Sequence, residues 1–353
     1  MRRTTLRLQS LRTARTIPAW IGIGLTAAVL LGSASQGLPP FTLVERWSVG
    51  VFSGDKRFEF GNIEAMAISE DGKYVFVLDR LNGRVAAFSD SGVFIGSAGR
   101  HGRGPGEFQY ASAVVSRDSI AMVIDAATGR MSSWVVRGNS LEMKAEVSGT
   151  AFLETRAACA LGGSLILLRW SAGKILHQVT TDGVVQKSFG LPFTQDAHPM
   201  MGAATTFGYV ACDRRQRSVY VAATEVPVVR RYRENGALVW ETSIPNMHPP
   251  VISAVGAGIR YSPPQGRDYA QLVASLFALG DSLVVVQFGE SGRDIAQASE
   301  ITQVTTLVLS SSNGRVLWQG NMLPKLDGAH GDRVFAHPSD PFPKVKVFEW
   351  RRQ

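Results

Sequence analysis

Three observations in the sequence predict an all-β fold built from repeated four-stranded units. Short apolar runs alternate with turn signals from Ala65 onward, and 36 glycines punctuate the 353 residues. A hairpin glycine also returns at Gly92, Gly138, Gly183, Gly236 and Gly314. The separations are 46, 45, 53 and 78 residues by subtraction, against about 40 to 45 for one blade of a β-propeller.

The clearest unit is AMAISEDGKYVFVLDRLNGRVAAFSDSGVFIGSAG, Ala65 to Gly99. Strands are expected at Ala65 to Ile68, Tyr74 to Leu78, Arg84 to Phe88 and Val93 to Ser97. The Asp-Gly and Asn-Gly pairs between them tolerate positive φ, which a tight hairpin needs. The run YVFVL has no polar alternation, as expected of a strand covered on both faces. Four further units follow in the same order. The fifth carries its excess length at 245–271, before its first strand, and at 290–303, inside it.

The tail supplies an inner strand at Arg333 to Ala336 and another at Lys344 to Trp350, and then stops short of a fourth. Leu43 to Gly50, LVERWSVG, resembles the closing segments VFIGSAG and VVQKSFG and is the natural donor. The prediction is a six-bladed β-propeller over residues 42–353, made of four-stranded antiparallel blades, with the last blade closed by the N-terminal strand. Such closure removes exposed sheet edges.

The formal charge of +8 does not describe the ring. Arg2, Arg3, Arg7, Arg12 and Arg15 all precede the first acidic residue, Glu45, and without them 32 basic residues face 29 acidic ones. The uncharged run Ile17 to Gly32 follows, 16 residues long. Arginines before an apolar stretch read as an export signal, with small residues near Ser35 suited to cleavage. Residues 1–36 are therefore expected to be a signal peptide or an N-terminal membrane anchor, with anchoring through residues 17–32. The expected location is periplasmic or extracellular.

Asn82 to Phe108, NGRVAAFSDSGVFIGSAGRHGRGPGEF, resembles the NHL-repeat pattern, in which an Asn-x-Arg turn precedes a strand and a glycine-rich linker ending in Phe joins two blades. It also resembles the bacterial exported six-bladed β-propeller proteins. Gly99, Gly102, Gly104 and Gly106 permit an unusual backbone path, Pro105 restricts it, and Phe108 can dock between blades. A phosphate cradle would need a helix after the glycines, and none is expected.

Ligands of propellers usually meet the face formed by the interblade linkers and the loops between second and third strands, here called the top face. Arg80, Arg84, Arg100, His101, Arg103, Arg130 and Arg169 map to it, joined by Arg260, Arg267 and Arg293 from the insertions, and make it basic. The leading expectation is a monomeric, non-catalytic binding module without a cofactor, whose partner is a protein, a peptide or an anionic cell-envelope ligand. Nucleic acid is not expected, because aromatics do not interleave with these arginines.

The resemblance also implies a metal-dependent alternative, a hydrolase or lyase with an axial site. A zinc precedent among NHL-like propellers directs attention to His198 and His248. A calcium precedent in the gluconolactonase and paraoxonase group directs it to Asn62 and Glu64. His101 and His337 also map near the top face, His177 to a strand and His330 to a turn on the opposite face. Asp79 and Asp125 each end a second strand ahead of an arginine, as loop braces or as acid-base groups. Cys159 and Cys212 fall at the same end of the inner strands of units three and four, either as a disulfide or as two small buried thiols.

Overall fold

The computed structural model describes residues 37–194, 198–291 and 301–353. The proposed leader, residues 1–36, and Arg293 lie outside the described residues, and no described helix is long and apolar enough to cross a membrane.

The chain is a six-bladed β-propeller. It opens with β1 (Phe41–Val49). Blade 1 follows as β2 (Ile63–Ile68), β3 (Tyr74–Asp79), β4 (Arg84–Ser89) and β5 (Phe94–Ala98). Blade 2 is β6 (Ala111–Arg117), β7 (Ile120–Asp125), β8 (Arg130–Arg137) and β9 (Ser140–Ser148). Blade 3 is β10 (Ala157–Leu161), β11 (Ser164–Ser171), β12 (Lys174–Val179) and β13 (Val185–Phe189). A short helix α1 (Pro199–Ala204) leads to blade 4: β14 (Gly208–Asp213), β15 (Ser218–Ala223), β16 (Val228–Arg233) and β17 (Leu238–Ser243). A separate hairpin, β18 (Val251–Val255) and β19 (Gly258–Ser262), precedes blade 5: β20 (Gln271–Leu279), β21 (Leu283–Glu290), β22 (Thr302–Ser310) and β23 (Val316–Gly320). Blade 6 has β24 (Gly328–His330), β25 (Arg333–Ala336) and β26 (Val345–Arg352), and β1 completes it.

The expected clasp is present, since β1 pairs antiparallel with β26 from Phe41 opposite Arg352 to Val49 opposite Val345. Two details differ from expectation. Blade 6 has a further innermost strand, β24, which moves Arg333–Ala336 to second place and puts His330 at a strand end. The insertion at 245–271 folds into the β18–β19 hairpin, because VISAV and GIRYS flank a Gly256 turn with φ of 59°.

Innermost strands pack in the order β2, β6, β10, β14, β20, β24 and back to β2. The described apolar core is divided accordingly into six clusters, one in each gap between blades, with a small seventh beneath the hairpin. This explains the unalternating second strands: β3 is buried along Val75–Asp79 and β15 along its whole length. Outer strands such as β13 and β17 are largely exposed, as edge strands should be. Three outer strands are latched by a tryptophan indole that donates to the neighbouring blade. Trp47 reaches Asp90 O at 2.9 Å, Trp240 reaches Ser311 O at 2.9 Å, and Trp318 reaches Gly37 O at 2.7 Å.

Cys159 of β10 and Cys212 of β14 form a disulfide between adjacent inner strands, with Cα atoms 5.6 Å apart. A bond joining positions 53 residues apart restricts the unfolded chain. Replacing both cysteines by serine is expected to lower unfolding free energy by about 2–4 kcal/mol, read by denaturant titration. Phe41, fully buried between blades 5 and 6, tests the clasp. Phe41→Ala should cost roughly 3–5 kcal/mol; an unchanged denaturation midpoint would contradict a ring closed by β1.

Candidate functional site

The first question at the top face is what its arginines already hold. Arg84 donates to Lys56 O and Glu59 O, both at 2.8 Å, and pairs with the buried Asp79. Arg130 donates to Gly104 O at 2.7 Å and Glu107 O at 3.0 Å, and Arg169 to Ala151 O at 2.8 Å. Arg230, which sequence reasoning did not single out, does the same for Leu191 O at 2.7 Å. Linkers have irregular backbones whose carbonyls lack ladder partners, and a guanidinium fork supplies several donors at once. Arg84, Arg130 and Arg169, all assigned from sequence to the ligand surface, thus brace linkers in the structure.

The carboxylates at the ends of the second strands complete the brace. Asp79 accepts from the amides of Gly61 and Asn62, and Asp125 from those of Gln109, Tyr110, Ala127 and Thr128. Within the glycine-rich linker, Glu107 accepts from Gly104 N and pairs with Arg100, while His101 Nε2 bonds Leu81 O. Gly99 has φ of 94°, and a Cβ there would stand 2.3 Å from the ring of Phe108, so only glycine admits the docked Phe. Arg100 and Arg103 stay exposed on this loop.

A different set of residues surrounds the axis. At the top face lies a cup of about 350 Å³. Its wall includes Glu64 from blade 1, Ser112 from blade 2, Arg156 at the entry to blade 3, Tyr209 from blade 4, and Asp327 and His337 from blade 6. Beneath it Met66, Val114, Ala158, Val210, Leu276 and Phe335 line both the cup and a lower chamber of about 990 Å³. One such residue comes from each blade, so they form an apolar collar around the axis. In blade 6 the short β24 has no suitable side chain, and Phe335 of β25 supplies the ring. A Cβ on Gly328 would lie 2.3 Å from that ring, so the glycine lets Phe335 reach the axis.

The backbone feature that aims two of the cup residues is a β-bulge. The pairing of β2 with β3 skips Glu64, and that of β6 with β7 skips Ser112. The extra residue in a bulge is released from the ladder and its side chain is re-aimed.

The electrostatics of the cup are uneven. Glu64 pairs with Arg80 at 2.7 Å, and the Arg80 guanidinium lies 5.2 Å from the Tyr110 ring centroid. Burial would raise Asp327, but the adjacent His337 and Lys325, with hydrogen bonds from the His337 side chain and amide, outweigh it and hold the carboxyl at about 2. Burial pushes the Tyr209 phenol up, and the carboxylates of Asp327, Glu64 and Glu225 push it further. Arg156 stacks 4.0 Å from the Phe207 ring centroid. Glu225, next to the cup residue Thr224, has a buried Oε2 without a partner, and burial raises its carboxyl to about 8.

The residues of the metal-dependent alternative do not converge. Glu64 is engaged by Arg80, and His248 Nε2 lies 2.7 Å from Arg267 Nη2. His198 caps α1 through Met200 N, and Asn62 takes part in the Asp79 brace. Among the described residues, no three His, Cys, Asp or Glu side chains form a metal-binding group. Sequence reasoning named Glu64, as a candidate calcium ligand, and did not single out Ser112, Arg156, Phe207, Tyr209 and Asp327, which line the same cup. Their signal was a polar residue two positions ahead of an apolar one at the start of an inner strand, as in Glu64 and Met66, Ser112 and Val114, or Arg156 and Ala158.

Comparisons with known proteins agree with the architecture. A family model described as a 6-bladed beta-propeller matches residues 53–131, without distinguishing NHL-type repeats. None of the curated proteins matches the chain. Among solved structures, a DUF4221-family protein of Bacteroides vulgatus superposes with a TM-score of 0.58 at 9% identity, covering 89% of this chain and 99% of that one. A Bacteroides fragilis protein provisionally named as exported gives 0.54 at 11% identity, covering 89% and 96%. At these identities the likeness is one of fold.

Glu225 gives this region a pH signature. Its carboxyl is raised from 4.5 to about 8 by burial, so between those values the folded state holds a proton that the unfolded state has lost. Stability contributed by that proton is complete below about 4.5 and disappears as pH rises through about 8. Glu225→Gln should leave the melting temperature nearly unchanged at acid pH and raise it by a few degrees near pH 8, followed by calorimetry across that range.

Proposed function

We propose that the chain is an exported, non-catalytic binding module that takes its ligand in the axial cup of the top face. The observation that carries this reading is the cup itself: a cavity with polar walls and an apolar floor, lined by residues from all six blades, whose guanidinium and hydroxyls take no part in the linker braces. Concave sites that combine an apolar surface with a few convergent polar groups are where small ligands bind. The bracing arginines belong to the scaffold, and Arg100 and Arg103 at the rim add positive potential that attracts an anionic partner. The partner class remains a protein or peptide segment or an anionic cell-envelope ligand.

Export is supported by the arginine-rich start, the uncharged run that follows it, and the disulfide, since such bonds persist mainly in oxidising compartments. The β18–β19 hairpin offers a second contact surface beside the cup, with Val251 and Val255 about half exposed.

A cell-envelope extract screened against the purified protein by thermal shift tests the reading, with Arg156→Ala and Arg103→Ala as the paired variants. The stabilising fraction should bind the Arg156 variant about tenfold more weakly, the size of one lost charged hydrogen bond, and the Arg103 variant nearly as well as the parent. The opposite pattern would move the site from the cup to the linker.

A further inference from the structure

The cup contains one more cation than its own carboxylates engage. Arg80 pairs with Glu64, and Lys325 and His337 face Asp327. Arg156 has no carboxylate partner among the described residues, and its contact is the ring of Phe207. Stacking on an aromatic face orients a guanidinium while leaving its in-plane N–H donors free. Two hydroxyls line the same space. Ser112 is 6% exposed and its Oγ has no partner among the described residues, and Tyr209 is the second residue of the inner strand of blade 4. A buried hydroxyl without a partner is a costly arrangement that a bound oxygen relieves.

We propose that the cup is a site for a small organic monocarboxylate, held at its carboxylate by Arg156 with the Ser112 and Tyr209 hydroxyls, and with its apolar end on the collar. The proposal rests on the cup being the binding site and specifies its ligand. Ring order explains the single charge. Arg156 stands at blade 3, directly across the axis from Asp327 at blade 6, whose neighbour around the ring is Glu64 of blade 1. One guanidinium matches one carboxylate, and a second negative charge would face those two acids. The volume of about 350 Å³ lies near the lower end of small-molecule pockets. Met66, Val114, Leu276 and Phe335 below offer a hydrocarbon group contact and no hydrogen bonds.

The test titrates the full chain with carboxylates of graded apolar length, from butyrate to N-acetyl-leucine, with their neutral amides, and with inorganic phosphate. The acids are expected to bind at least about tenfold tighter than the matching amides, and more tightly as the apolar part grows. Arg156→Gln should bring that preference close to one, while Arg103→Gln leaves it intact. Amides binding as well as acids, with both weakened by Tyr209→Phe, would overturn the carboxylate and keep the cup as a binding site, as would phosphate binding tighter than every acid. No binding by any compound up to about 10 mM, or binding that neither Arg156→Gln nor Tyr209→Phe alters, would overturn the carboxylate and the cup together.

Discussion

The pairing of β1 with β26 is the constraint on which the ring depends. Each blade is a twisted sheet whose faces are apolar, and it is covered only when a neighbour stands on either side. Five blades drawn from a continuous stretch of chain would leave two open faces. The sixth closes them by taking three strands from the C-terminus and one from the N-terminus, so both ends are held by a nine-residue strand, Phe41–Val49. The latches repeat around this join without interruption. Trp47 of the clasp strand bonds blade 1 as Trp240 of blade 4 bonds blade 5, and Trp318 of blade 5 bonds Gly37, where blade 6 would otherwise have its last hairpin.

Closure also fixes where polar chemistry can occur. The gaps between blades are filled by apolar side chains, so polar groups collect at linkers and along the axis. At linkers the demand is for donors, because carbonyls such as Lys56 O, Glu59 O and Gly104 O have no ladder partner. Arg84 and Arg130 satisfy them from the first position of β4 and β8. Arg84 and Arg130, which look like part of a basic surface when counted along the sequence, are in three dimensions part of the joinery. Along the axis the demand is reversed: side chains at the upper ends of the inner strands line an open cup.

The blades were legible because their signals are local. Asn-Gly and Asp-Gly turns, a period of about 45 residues and unalternating second strands each arise within a few residues of chain, and the clasp followed from the missing strand. The cup was far less legible. Glu64 and Ser112 are aimed by bulges, which depend on pairing with β3 and β7, so the polar residue ahead of an apolar one is a signal readable only once the strands are paired. Asp327 and Phe335 reach the axis because β24 is only three residues long, a shortness that LDGAHGDRVFA conceals. The histidines show the limit of mapping by position. His198 and His248 map to the top face by position, yet both lie in long linkers, where α1 and Arg267 occupy them.

The collar gives the two ends of the axis different roles. Below it, Arg214 at the end of β14 crosses from blade 4 to pair with Glu70 of blade 1 and donates to Ser116 O of blade 2 at 2.8 Å. His330 joins the same knot through Glu70 O at 3.1 Å. The lower mouth is therefore tied across its diameter by groups that satisfy one another, and the disulfide fixes the spacing of blades 3 and 4 in the wall of that chamber. Above the collar the charged groups are arranged around the space instead of across it. A polar network spanning a channel rigidifies it, whereas one distributed around a cavity leaves donors and acceptors to be completed by what enters. The same ring thus ties its lower end across the axis and leaves the charged groups of its upper end around an open cup.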